Sequence, residues 1–303
     1  MYVTPSGPQS IGGVIDDAIR LYRQSYSRCW LLALLPAVGF GIWQIAETHY
    51  VPASAASFPY SRAAEAEIVK HPLPGAMLAY MAIIALLALS LQGAVAARQA
   101  AVARGDDSFT FGRALATAFL RLPTLILSGI LLYLAMAGMF IAVAIVVFVP
   151  VGMLHATHLL ARPGPAAMAC VVVAVFLAIL ALVGRLQLFI AAIYIDREGP
   201  LASLKSSWRL TRGHWWRATA ILATAMIMLM VLYLAVTVLA YLSGYLTHYG
   251  PIHRFLIAPL LLMVTYTVIY PLGSAIWVAM YNDFKLRREG GDLAARVGAL
   301  NSA

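Results

Sequence analysis

Long apolar runs separated by short polar segments constrain this chain more than any other feature. Cys29–Ala46, Ala76–Ala97, Leu122–Val151, Ala166–Ile195, Ala218–Leu242 and Phe255–Tyr281 are each at least 18 residues long and contain no Asp or Glu. A hydrocarbon core about 30 Å thick takes about 20 helical residues, and backbone inside it must satisfy its own polar groups. The runs therefore predict an all-α polytopic membrane protein with six transmembrane helices. Leu122–Val151 exceeds the needed length and must tilt or extend past the core. Pro271 lies inside the sixth run and frees the carbonyl of Thr267, which predicts a kink. Composition decides one alternative: 303 residues could hold two soluble domains, but only 11% of them are charged, against about 25% in soluble chains.

The basic residues orient the chain. Seventeen of the 21 Lys and Arg lie in residues 1–28, 98–121, 185–217 and the C-terminal segment; four lie in 47–75, 152–165 and 243–254. The positive-inside rule places both termini in the cytoplasm, and the expected location is a bacterial inner membrane. Because the charge of +9 sits between apolar runs, its expected partner is anionic membrane lipid, with no nucleic acid. Residues 1–28 do not read as a signal peptide, since Asp16 and Asp17 occupy the place of a positive n-region. Residues 1–303 read as one integral membrane domain, with 283–303 a short tail; no remaining segment is large enough to stand alone. Cys29 and Cys170 fall at opposite ends of spans, which excludes a disulfide between them.

The densest polar stretch is Asp196–Arg217, which holds five of the 21 basic residues and three of the six tryptophans. Gly199-Pro200 sets a helix start and Gly213 a stop. Leu201, Leu204, Trp208 and Thr211 share one stripe, with Lys205, Arg209 and Arg212 beside it. Leu210 points away from that stripe. These features predict a short helix over 200–212 on the inner membrane surface, turning into a span after Trp215, Trp216 and Arg217. Residues 10–26 predict a better amphipathic helix, with Ile11, Val14, Ile15, Ala18, Leu21, Tyr22 and Tyr26 opposite Asp16, Asp17, Arg20, Arg23 and Gln24. Phe111, Leu115, Phe119 and Leu122 form a third stripe, and a short helix is expected near Ser61–Val69. Trp30 and Trp43 mark the two ends of the first span, and Trp30, Trp208, Trp215 and Trp216 are the expected interfacial anchors.

Glu198-Gly199-Pro200, Leu204-Lys205, Ser207-Trp208, Leu210-Thr211, Gly213 and Trp216 resemble the signature of the glycerophosphoryl diester phosphodiesterase membrane-domain family. Ser203 stands where that pattern has Ala. Tyr281-Asn282-Asp283-Phe284-Lys285, Arg287-Arg288-Glu289-Gly290 and Asp292-Leu293 resemble its closing pattern, with Asn282, Phe284 and Lys285 as departures. The resemblance implies a stand-alone multi-pass membrane protein lacking the phosphodiesterase domain.

The runs suggest an internal repeat. Offsets of 93 and 186 residues superpose Cys29–Ala46 on the starts of the third and fifth runs, and align Tyr22 with Leu115 and Trp208. Units over 8–97, 98–195 and 196–282, each a surface helix followed by two spans, would be parallel repeats about the membrane normal.

No catalytic signature is present: no Gly-x-Ser-x-Gly, no phosphate-cradling Gly loop, no His-Glu-x-x-His. The reading is a non-enzyme without cofactor. His49, His71, His155, His158, His248 and His253 lie on the outer side, and Glu47 could add a carboxylate to them, but no segment repeats a metal-ligand pattern and no metal site is assigned. Gly39, Gly41, Gly93, Gly129, Gly138 and Gly273 are expected at close helix contacts, and Thr224, Tyr233, Thr237, Tyr241, Tyr266, Thr267 and Tyr270 in interhelical hydrogen bonds. The repeat places Arg185 one to two turns inside the core with no intramembrane acid to offset it. It can snorkel, bond to carbonyls freed at a kink, or bind a lipid phosphate jointly with Lys205, Arg209 and Arg212. The functional expectation is binding or movement of anionic lipid, or support of envelope homeostasis. The alternatives are a small-solute transporter and a membrane accessory subunit of a separately encoded enzyme.

Overall fold

The computed structural model describes residues 5, 7–50, 75–106, 108–156, 173, 179–248 and 250–290. Among them the chain is helical apart from short connections, with no strand. The long helices are α1 (Ile11–Tyr50), α2 (Gly75–Ala103), α3 (Phe111–Ala156), α6 (Trp215–Leu246) and α7 (Ala258–Glu289). Each of these five carries a stretch long and apolar enough to cross a membrane. Two short helices, α4 (Phe189–Ile195) and α5 (Pro200–Thr211), lie between α3 and α6. Of the fourth apolar run, Ile179–Ile195 is described as a shorter apolar helix, interrupted at Gln187-Leu188. The helix expected near Ser61–Val69 and the tail beyond Gly290 lie outside the described residues.

Two of the three expected surface helices are not separate elements. The segment 11–26 runs without a break into the first span, giving a 40-residue α1. The physical reason is that Ser27 and Arg28 offer neither a Gly nor a Pro at which a helix could turn. Phe111–Leu122 likewise forms the first turns of the 46-residue α3. Both helices start on hydroxyl caps: Ser10 Oγ accepts from Gly13 N at 3.0 Å and Thr110 Oγ1 from Arg113 N at 3.4 Å. Of the three joints between an expected surface helix and its span, the third is broken, at Gly213, where φ is +86°. An L side chain there would meet the left-handed penalty of roughly 1–2 kcal/mol. α7 continues through Pro271, whose carbonyl accepts from Gln99 Nε2 at 2.8 Å. The irregular turn of this segment is π-helical, at His253–Ile257.

The core gathers at one end of the bundle. Val14, Ala18 and Leu21 of α1 pack with Leu188, Ala191 and Ala192 of the broken helix, Leu210 of α5, Ala218 and Ile221 of α6, and Ala275–Phe284 of α7. Many of these residues are Ala, so the backbones approach closely. Gly93 shows the limit: a Cβ there would lie 2.2 Å from the Tyr194 ring. Tyr194 is held by its hydroxyl, 2.6 Å from Ser90 Oγ, which also donates to Ala118 O. Gly39 and Gly41 face Ile84 and Met263 closely as expected, whereas Gly129 and Gly138 face open space. Most of the Thr and Tyr residues expected to bond between helices do not. Thr224, Thr237 and Thr267 donate to their own helices at the i−4 carbonyl, and Tyr266 stacks on Phe40. Tyr270 does cross, donating to Ala88 O. Beyond Ala225, α6 is exposed on nearly every side: Met226, Ile227, Met230, Val231, Leu234, Val238 and Leu239 are all more than half or about half accessible. A helix apolar all round is suited to lipid rather than water.

Candidate functional site

The site is built on the break in the fourth apolar run. A helix interrupted at Gln187-Leu188 leaves backbone groups without ladder partners, which inside a membrane is costly. α5 supplies them. Ser207 Oγ donates to Arg185 O at 2.8 Å and accepts from Leu188 N at 3.2 Å. The Thr211 hydroxyl lies 3.1 Å from the same Arg185 carbonyl. Close approach of α6 on the other side depends on Gly184, where a Cβ would stand 2.1 Å from Thr219 Oγ1.

This contact gives α5 a largely hydroxyl-bearing face toward the protein and leaves Leu201 and Trp208 of the expected apolar stripe turned away from it. Its buried face is Ser203, Ser206, Ser207, Leu210 and Thr211. Leu210 points inward, and the expected apolar stripe divides: Thr211 is buried, Leu204 is half-buried against the cluster of Phe189 and Ile190, and Leu201 is 54% and Trp208 41% exposed. Lys205, Arg209 and Arg212 share that outward side. No ion pair among the described residues engages them. The outward face therefore combines Leu201 and Trp208 with three cations. Trp216 is 64% exposed and meets Trp215 edge-on, with ring centroids 5.8 Å apart, while Trp30 is 39% exposed on α1.

Arg185 takes a course that sequence reasoning did not weigh. Its guanidinium carbon lies 4.4 Å from the centroid of the Trp208 ring. A cation over an indole face gains about 0.5–1 kcal/mol when exposed and about 2 or more when desolvated. Its Nε is buried without a hydrogen-bond partner. The residue thus joins the broken helix to α5 by its backbone and its side chain.

Beside the break, Leu132 and Met136 of α3, Leu186 and Phe189, Leu222 of α6 and Trp277 of α7 line a half-open cavity of about 240 Å³. Its lining is almost entirely apolar. Gln187 also borders it, with Nε2 turned back toward Gly184 O at 3.4 Å and Oε1 buried without a partner.

A polar cluster closes the same end of the molecule. Asp283, 3% exposed, accepts from Arg217 at 3.0 Å, from Arg287 Nε at 3.0 Å and from Gln9 N at 2.9 Å. Both arginines also donate to Gln9 O. Asp196 accepts from Tyr281 Oη at 2.6 Å and pairs with Lys285. Arg288 Nε reaches Arg209 O at 3.2 Å. The stretches 196–217 and 281–289, distant in sequence, thus form one assembly with the start of α1. Sequence reading missed this role for Asp196, Asp283 and Gln9. The available signal was an acid at the end of an apolar run, at Asp196 after the fourth and at Asp283 after the sixth.

Among the described residues no group of three or more metal-ligating side chains occurs. His71 and His158 lie outside them, as do the side chains of His49 and His155. His253 is buried, which pushes its imidazole below the ordinary value. Outside the bundle, Asp106 is held below the usual carboxylate range, first by its side-chain hydrogen bond with Ser108.

The family described as Domain of unknown function (DUF7847) matches residues 29–284, most of the chain, and the protein belongs to that family. No curated protein and no solved structure matches it.

Proposed function

We propose that this member of the DUF7847 family is a non-enzymatic multi-pass protein of the bacterial inner membrane that binds anionic phospholipid at its basic, cytoplasmic end. The observation that carries the reading is the outward face of α5. Leu201 and Trp208 suit the acyl boundary, and the exposed Lys205, Arg209 and Arg212 suit phosphate, with no carboxylate pairing them among the described residues. α5 then lies in the headgroup layer with its hydroxyl face toward the protein. The apolar lining of the cavity beside it supports lipid over a small polar solute, which would need several converging polar groups.

In this reading there are six spans, the fourth formed by Ala166–Ile195, and both termini are cytoplasmic. The threefold repeat is part of the proposal. α1 and α3 are each a surface segment fused to a span, and α5 with α6 is the same pair divided at Gly213.

The test is lipid retained by the purified protein, measured by native mass spectrometry. Wild type is expected to carry phosphatidylglycerol or cardiolipin, and Lys205→Glu/Arg209→Glu/Arg212→Glu to lose most of it while keeping its fold. Equal retention by both proteins rejects the reading. Orientation is tested separately. Single cysteines at His49 and His248 should react with an impermeant thiol reagent in intact cells, and one at Ala202 should not.

A further inference from the structure

We infer that the cavity beside the helix break is an acyl-chain pocket for one phospholipid of the leaflet at the basic end. The inference rests on the reading that this end lies in a headgroup layer, and it adds a specific seat for the chain to a surface for the head. Depth comes first. Leu222 follows Trp215 by seven residues, and Trp277 precedes Lys285 by eight. At 1.5 Å per residue the cavity lies about 10–12 Å inward from the tryptophan and lysine layer. That depth is within the hydrocarbon core and within reach of the first half of an acyl chain.

Chemistry comes second. The cavity measures about 240 Å³ and its walls are Leu, Met, Val, Ile, Phe and Trp, apart from Gln187. The cavity is open on one side, and walls of this kind favour an apolar molecule over water, which finds too few polar partners against them. Gln187 offers a water one free acceptor, its buried Oε1, while its Nε2 is directed at Gly184 O, and a buried water needs about two to four polar partners. Water is therefore a poor occupant, and a non-helical protein segment would bring backbone polar groups that these walls cannot satisfy. A methylene chain satisfies the walls and is the most abundant apolar species at that depth.

Position comes third. The residues lining one wall, Leu182, Val183, Leu186 and Gln187, bracket Arg185, whose side chain leads out to Trp208 on α5. A lipid whose chain enters the cavity keeps its head near the exposed cations of α5. The break at Gln187-Leu188 makes the opening: a helix continuing straight from Leu186 would place Phe189 and Ile190 elsewhere on its face.

The experiment uses the full-length protein in vesicles containing phosphatidylglycerol with a diazirine on one acyl chain, followed by photolysis and peptide mapping. Met136 and Leu222 are expected to be labelled several-fold more than Leu134 and Val231, which are exposed on the outer surfaces of the same helices. Leu222→Trp, which fills the cavity, should remove label from Met136 and leave it at Leu134. Should that variant not fold, Leu132→Phe serves the same purpose, and the wild-type map decides by itself. Equal labelling of all four positions overturns the pocket, since the chains are then only surrounding lipid. A phosphatidylcholine probe separates the two proposals. Equal cavity labelling by both lipids keeps the pocket and removes the anionic-headgroup reading.

Discussion

Two segments of this chain carry similar amphipathic patterns and end in different places. Residues 11–26 become the first half of α1, with Val14, Ala18 and Leu21 fully buried against α7. Residues 200–211 become α5, an independent helix that turns its hydroxyls inward and leaves Leu201 and Trp208 out. The difference is made at the joint. Ser27 and Arg28 continue a helix, so α1 inherits the axis of its span. Gly213 at φ +86° breaks it, so α5 is free to lie where its side chains fit best. An apolar stripe therefore says that a helix has two faces. It does not say which one the protein keeps for itself.

The largest effect that would sharpen this contrast is at Asp283, which ties the entry of α1 to α6. Removing one partner of a buried pair costs about 3–5 kcal/mol. The arginines here are 18% and 24% exposed, so Asp283→Ala is expected near the lower end, about 3 kcal/mol of unfolding free energy in micelles. No loss of stability would remove the cluster as the anchor of α1. Next is a matched pair of truncations. Leu21→Ala in α1 should cost about 2–5 kcal/mol, because Leu21 is wholly enclosed. Leu201→Ala in α5 should stay within about 0.5 kcal/mol. Similar costs at the two positions would break the comparison outright.

A smaller effect separates the inward face of α5 from its outward one. Ser207→Ala leaves Arg185 O with only Thr211 nearby and Leu188 N with none of its present partner, for an expected loss of about 1–3 kcal/mol. Spin labels should report the same asymmetry: low accessibility at 203 and 207, high at 201 and 205.

How much of this was legible can be argued residue by residue. Five of the expected spans correspond to long helices because their signal is local and strong: apolar runs with no acid. The continuity of α1 was legible too, in the lack of a breaker at Ser27-Arg28, but Arg28 and Trp30 suggested a headgroup boundary and hence a turn. The inward face of α5 was hidden because a search for an apolar stripe passes over Ser in favour of Leu and Trp. What selects Ser207 is the unpaired carbonyl of Arg185, created by a break elsewhere in the chain. The pairing of Asp283 with Gln9 and Arg217 spans more than two hundred residues in one case, and nothing local announces it.

The smallest expected effect concerns Arg185 and Trp208, where the two behaviours meet. Arg185 belongs to the buried helix, and Trp208 to the outward face of α5. If the guanidinium holds the indole in place, truncating either loses the same contact, and the double variant should cost less than the sum. A double-mutant cycle with Arg185→Leu and Trp208→Leu should give a coupling of about 0.5–1 kcal/mol. Arg185→Lys refines the result. An ammonium can also sit over an indole, but it cannot stack as a planar group or grip a phosphate bidentately. Retained stability with reduced copurified phosphatidylglycerol in Arg185→Lys would assign the guanidinium to lipid as well as to Trp208. Unchanged stability and unchanged lipid would leave Arg185 as a cation that merely reaches the interface, and α5 would then be held to the bundle by its hydroxyl face alone.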